Sequence, residues 1–370
     1  MDWHATWTRR RFLKVSAGAV LAGSASTAAQ TDPRPRATRV LFLNLVGGPS
    51  QLDTFDPKPE APVDVRGPFR PIATSVPGLF LSELLPRTAR LAHHLAFLRT
   101  LHHDAAPIHE TGQQLTQTGR LALNDEVPPN WSSVVAAQAY ATGRELPSFL
   151  LPGPLRNTGV LISQGQTAGD LGAVWEPTTV LPALPPWSTL EVESRFGPSA
   201  FGQACAAALA VLERRPALVT VNMFDTVFDQ PTWDCHADGA ALATTLADVQ
   251  REVAPAFDQA FAALVEGLVD RGLWEETLLV ATGEFGRTPR LNRRGGRDHW
   301  PHAWTAVVGG AGLAGGAVVG RTDSQGAYPE TDALPAALLP SLIYRALGAQ
   351  VPRARANELE WPATLEKLWA

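Results

Sequence analysis

A three-layer α/β/α sandwich around a mostly parallel sheet is the fold class this sequence predicts, and three observations carry it. Short apolar runs rich in Val and Leu alternate with amphipathic or Ala-rich segments of helical length, the pattern of strands feeding crossover helices. The apolar runs end in polar segments that contain glycine, as buried strands do where the carboxyl edge of a sheet turns into loops. Glycine and proline number 31 each among 370 residues, above the roughly 12% that the two average together. That composition asks for many ordered loops and argues against a helical bundle.

The elements follow in order. Thr8-Arg9-Arg10-Arg11-Phe12-Leu13-Lys14, a mild apolar stretch over 15–25 and the small residues Ser26-Thr27-Ala28-Ala29 have the form of a twin-arginine export signal. Residues 1–29 are therefore expected to be an address, read by the twin-arginine translocase, on a periplasmic or secreted protein. The apolar stretch falls short of the about 20 residues a span needs, and no later segment has 18 uninterrupted apolar residues, so no stable membrane span is expected. Residues 30–38 read as a linker, 39–349 as the folded domain and 350–370 as a tail.

Residues 39–46 form an apolar run closed by Gly47-Gly48, the first buried strand. Residues 95–101 are a second. Helices are expected over 110–121, 132–142 and 201–213, and a strand rich in β-branched residues over 217–224. Residues 239–271 make a long amphipathic stretch with a break near Pro255, and 277–282 a short strand ending at Gly283. Residues 306–309 and 316–320 read as paired edge strands. A last helix over 334–347 would start on Pro335, kink at Pro340 and stop at Gly348. The proline-rich stretches 57–79 and 177–197 read as insertions, the second a cap over the site.

The formal charge is −5. Residues 1–29 hold Arg9, Arg10, Arg11 and Lys14 against Asp2, a net +3, and removing it leaves −8. That balance argues against a nucleic-acid binder, which would want a basic face. Cys205 and Cys235 are not spaced as a zinc knuckle, and nothing in their spacing demands a disulfide.

Sites in open α/β sheets form beyond the carboxyl ends of strands, and polar clusters fall at three such ends. They are Gly47 to Asp56 with Asp53, then Trp233-Asp234-Cys235-His236, then Gly283-Glu284-Phe285-Gly286-Arg287 running on to Arg297-Asp298-His299. Singly, each has a structural reading: Asp53 as a cap on loop amides, Asp234-x-His236 as a turn, Glu284 as a helix cap, Arg297-Asp298-His299 as a solvated charge run. Together, carboxylates and imidazoles at strand ends suit a divalent metal ion, zinc or manganese, with calcium as the alternative. Of His93, His94, His102 and His103, which flank the second strand, His103 is the one candidate for the site.

The order Gly47-Gly48-x-Ser50-Gln51-x-Asp53-x-Phe55-Asp56-x-Lys58-Pro59, His109-Glu110-x-Gly112, Asp234-x-His236, Gly283-Glu284-Phe285-Gly286-Arg287-Thr288-Pro289 and Gly296-Arg297-Asp298-His299-Trp300-Pro301 resembles the secreted bacterial family "domain of unknown function 1501". That family is similar in fold to the alkaline phosphatase and sulfatase superfamily. The resemblance implies a metal set of Asp53, Asp234, His236, Glu284 and His299. It places His109 where a nucleophile stands at a helix N-terminus, as base or nucleophile, and Arg287 or Arg297 on the oxyanion. Three positions depart from the superfamily: His109 replaces a hydroxyl, Phe285 replaces a metal-binding histidine, and Asp234 and His236 are only two apart. They imply one metal site or a rearranged pair. The helix N-terminus should also lower the pKa of His109 and keep it neutral. The reading is an exported metal-dependent hydrolase of phosphate or sulfate esters, acting on a small-molecule or glycan ester. The alternative is a non-catalytic envelope protein of the same fold that binds a glycan or protein partner.

Overall fold

A computed structural model describes residues 36–180, 194–352 and 360–369. The export signal, most of the linker and most of the proposed cap lie outside the described residues.

Strand β1 (Arg39–Asn44) is buried along its whole length. Its side chains alternate between two apolar layers: Leu41 and Leu43 enter one, Val40 and Phe42 the other. Beside two small hairpins over 71–82 and 321–331, the other strands are β2 (Leu95–His102), β3 (Ser148–Leu151), β4 (Thr178–Thr179), β5 (Leu218–Asn222), β6 (Thr277–Thr282), β7 (Gly286–Arg287), β8 (His299–Trp300), β9 (Trp304–Gly309), β10 (Val318–Val319) and β11 (Leu334–Pro335). Nine of them form one sheet in the order β10-β2-β9-β6-β1-β5-β3-β4, with β11 also on β2. Every pairing is parallel except those of β9, antiparallel to both β2 and β6. Strands β7 and β8 make a small separate ribbon.

Five longer helices cover the sheet: α1 (His109–Thr118), α2 (Trp131–Ala141), α3 (Ala200–Arg214), α4 (Ala254–Asp270) and α5 (Leu338–Ala346). Asn130 and Ser199 cap α2 and α3 by accepting from the backbone N–H three residues on. Phe201, Ala204, Phe257 and Phe261 bring α3 and α4 onto the face of Leu41. Trp131, Val134, Leu342 and Ile343 bring α2 and α5 onto the face of Phe42. The three layers are those the alternating pattern predicts.

Four expectations are corrected. Strand β9 is interior, not an edge: all six of its residues are buried, and β10 pairs with β2 instead. The last helix starts at Leu338, because Leu334 and Pro335 extend the sheet beside β2. Pro340 then falls in the first turn of α5, where no N–H partner is missed, and makes no kink. Residues 239–245 are not helical. A capping box on Thr245 starts a short helix that passes through the π-turn Val249–Val253 into α4, which takes Pro255 in its first turn without a break. Strands β3 and β4, short and set among prolines, gave no sequence signal. Residues 360–369 pack on the domain, with Leu365 and Leu368 buried in the same layer as α5.

Asn44, Asn222 and Thr282 stand in register at the carboxyl ends of β1, β5 and β6. Strand β2, parallel to them through β9, ends on the same side. The segments that leave these four ends carry the polar clusters into one place.

Candidate metal centre

Asp234 is the hub. It is fully buried, and four cationic or imidazole groups surround it. His236 Nε2 and His299 Nε2 each lie 3.1 Å from its Oδ1. His109 Nε2 lies 3.3 Å from its Oδ2. The Arg287 guanidinium pairs with Oδ1. Burial works against the Asp234 charge, but the charge of Arg287 and the hydrogen bond from His109 outweigh it and hold the carboxyl well below the usual range.

Each imidazole is held from behind through Nδ1. His109 donates to Glu284 Oε1 at 2.5 Å, His299 to the Pro107 carbonyl at 2.7 Å, and His236 to Asp298 Oδ1 at 2.9 Å. The same Glu284 oxygen accepts the Gly47 N–H at 2.9 Å. A carbonyl can only accept, so His299 carries its proton on Nδ1. Its neutral ring then turns a lone pair toward Asp234 Oδ1. Burial, with the charges of Arg287 and His109, pushes the His299 pKa down to about 4, which keeps the ring neutral. His236 Nε2 also faces Asp234 without hydrogen-bonding to it, and Glu284 Oε2 is buried without a partner. Acceptors turned on one another, with their protons held on the outward nitrogens, are what a cation between them would satisfy. His109, Asp234 and His299 offer ligand atoms within 4.8 Å of one another.

The backbone makes this possible. Gly47 has φ +104°, and a Cβ there would stand 2.7 Å from the Asp234 nitrogen. Gly48 has φ +73°, and a Cβ would meet the Phe285 carbonyl at 2.6 Å. Gly112 lets α1 close on Glu284, whose carbonyl oxygen a Cβ would meet at 2.5 Å. Phe285 is fully buried, and its ring packs beside those of His109 and His299, with centroids 5.0 and 4.3 Å away. It acts as an apolar wall where the superfamily has a ligand.

The expected residues divide. Asp234, His236 and His299 come together as foreseen, and His109 joins them as a ring facing Asp234. Glu284 reaches the cluster from behind, on His109. Asp53 does not: it is buried in a pair with Arg297, with Nε to Oδ2 at 2.6 Å and Nη2 to Oδ1 at 3.3 Å. Its role is structural, as an ion pair and not as the cap on loop amides that the sequence offered. Arg297 spends its remaining donors on the Thr288, Pro289 and Val65 carbonyls. Arg287 spends its own on the Gly47, Gly48 and Arg297 carbonyls and on Asp234. Both guanidiniums are fully buried, with these donors spent on protein oxygens. The expected neutral His109 is also corrected. Burial opposes its charge, but hydrogen bonds to Asp234 and Glu284 outweigh that and raise its pKa to about 9. Two carboxylates at the ring override the helix N-terminus. His103 stays out of the group: it is buried edge-on to Trp304, and burial lowers its pKa to about 4. Cys205 and Cys235 are both free.

Reasoning from sequence missed Asp298 and the Pro107 carbonyl as holders of imidazoles. Asp298 stood next to a candidate ligand and was readable as a partner of histidine. Nothing in the sequence marks a backbone carbonyl.

A family model described as "Protein of unknown function (DUF1501)" matches residues 37–195 and 186–365. No curated protein matches the chain. Among solved structures, the lipoteichoic acid synthase LtaP from Listeria monocytogenes is similar over 88% of this chain and 76% of its own, at 9% identity and a TM-score of 0.50. The phosphonate monoester hydrolase SpPMH from Silicibacter pomeroyi is similar over 86% and 74%, at 14% identity and a TM-score of 0.45. The PsFucS1 sulfatase from Pseudoalteromonas sp. is similar over 87% and 69%, at 13% identity and a TM-score of 0.43. At such identities the likeness speaks for the fold alone, the α/β sandwich that the sequence predicts.

Proposed function

This chain belongs to the family described as "Protein of unknown function (DUF1501)", and from that premise we propose that it is an exported, metal-dependent hydrolase of phosphate or sulfate esters. One observation carries the reading: three imidazoles, each held through Nδ1, turn Nε2 onto a single buried carboxylate.

Asp234, His109, His236 and His299 would hold the ion. Three imidazoles and a carboxylate suit zinc first and manganese second. A bound divalent ion would polarise an ester oxygen and acidify water. The chain's own groups set up the rest. Glu284 keeps the proton of His109 on Nδ1 and leaves Oε2 free, a buried acceptor for a proton. The first turn of α1 has no side chain capping it, and its backbone N–H groups would favour an anionic ester group. Phe285 keeps water from the back of the site. His109 is no nucleophile in this arrangement, since both its ring nitrogens are engaged.

The test is a panel of phosphate and sulfate esters offered to zinc- and manganese-loaded protein. We expect turnover of at least one ester, abolished by chelator and by His236→Ala. One observation favours the second reading, a non-catalytic envelope protein that binds a glycan or protein partner: both arginines foreseen for an anion are buried. Metal-loaded protein inert toward the whole panel would shift the weight to that reading.

A further inference from the structure

The three imidazoles are not held equally. His109 leans on Glu284, which is fully buried, and His299 on a backbone carbonyl. His236 depends on Asp298, whose side chain is 53% exposed. A half-exposed carboxylate has water to solvate it and needs something to hold it on the ring.

Asn292 supplies that hold. Its Nδ2 donates both to Asp298 Oδ1 at 3.1 Å and to the His236 backbone carbonyl at 2.9 Å. Its Oδ1 accepts from the Arg294 and Gly296 amides, each at 3.0 Å. The side chain thus ties the turn over 292–296 to the strand-end segment that carries Asp234 and His236. The contact is tight: a Cβ on Gly296 would stand 2.5 Å from the Cys235 and His236 carbonyl oxygens. Arg297 N–H donates to the Cys235 carbonyl at 2.9 Å. Thr288 fixes the backbone of Asp298 from the other side, accepting its N–H at 3.1 Å and donating to its carbonyl at 2.9 Å.

We propose that Asp298 is a positioning residue of this centre, fixing His236 in the tautomer protonated on Nδ1, and that Asn292 is the clip that keeps Asp298 there. The inference rests on the metal reading of the same cluster. A carboxylate can only accept, so Asp298 keeps a proton on His236 Nδ1 and leaves Nε2, which faces Asp234, as the nitrogen open to an ion. A carboxamide can also donate. Turned to face Nδ1 with its NH₂, it moves the ring proton to Nε2, where it blocks ligation.

The experiment uses zinc alone as the probe, in competition with a chromogenic chelator. The proteins are wild type, Asp298→Asn, Asn292→Ala, His236→Ala and the double variant Asp298→Asn/His236→Ala. Nitrogen-15 NMR of the histidine rings is read in the zinc-free proteins. We expect Asp298→Asn to weaken zinc binding by roughly 10- to 100-fold, the usual range for an outer partner of a metal-binding histidine. Asn292→Ala should weaken it in the same direction by less. In the His236→Ala background Asp298→Asn should cost nothing further. The His236 ring should report a proton on Nδ1 in wild type and a shifted tautomer in Asp298→Asn. Unchanged zinc affinity in Asp298→Asn would overturn the inference and leave the metal reading standing. An equal loss in the His236→Ala background would also overturn it, since the effect would then pass through the loop and not the ring. A wild type that takes no zinc removes the metal reading, and the His236 tautomer in the zinc-free pair still decides whether Asp298 sets it.

Discussion

His109 sits between two carboxylates, and its proton reports whether the centre is filled. Its pKa stands near 9 in the folded, metal-free protein against an ordinary 6.5. The folded state therefore binds this proton more tightly than the unfolded chain. That stabilisation is complete below about pH 6.5 and is lost as pH rises through about 9. We expect the melting temperature of chelator-treated protein to fall over that window and His109→Gln to flatten the fall. Zinc-loaded protein should not show it, because the ion takes the place of the proton. An identical slope in His109→Gln would assign the pH dependence to another group. At this scale the sequence named the imidazoles that the structure gathers around Asp234, since histidines next to strand-end carboxylates are visible in a linear text. It misplaced Asp53, Arg287 and Arg297 because charge is visible and its partner is not. Asp53 and Arg297 are 244 residues apart, and no local pattern tells a buried ion pair from a ligand and an anion clamp.

The Asp53–Arg297 pair belongs to the scale of elements, where it joins the loop after β1 to the segment before β8. Breaking a buried pair by removing one partner leaves an uncompensated charge and costs about 3–5 kcal/mol. Arg297→Ala should lower the urea midpoint accordingly. Zinc affinity of the folded fraction should hold, because Arg297 touches none of the four groups on the ion. A loss of zinc affinity without a loss of stability would return Arg297 to the site. Gly47→Ala should behave in the opposite way. The added Cβ would press on the Asp234 amide at a position with φ +104°, displacing the hub itself, so zinc binding should fall more than stability; calorimetric titration against thermal unfolding separates the two. The elements themselves were legible where hydrophobic period and caps agreed, as in β1, β5, β6, α2 and α3. They were not where pairing decided the outcome. The apolar run of β9 does not say whether its neighbours are one strand or two, and Leu334-Pro335 reads as a helix start until β2 is seen beside it.

At the scale of the molecule, one sheet turns four carboxyl ends the same way, and the cluster is assembled from segments that begin near residues 47, 103, 223 and 283. A site gathered over that much chain forms only with the fold, which suits the proposed export after folding. Arg9→Lys with Arg10→Lys should therefore leave precursor in the cytoplasm with residues 1–29 attached, seen by fractionation and intact mass; export at the wild-type level would remove the twin-arginine route. Asp234, His109, His236 and His299 are proposed to hold one divalent ion. The most direct test is metal analysis of the exported protein, wild type beside His299→Ala. We expect about one zinc or manganese ion per wild-type chain, little in the variant, and a melting temperature that chelator lowers in wild type only, since an ion that binds only the folded state stabilises it. Wild-type protein free of transition metal, with a melting temperature that neither chelator nor His299→Ala moves, would contradict it.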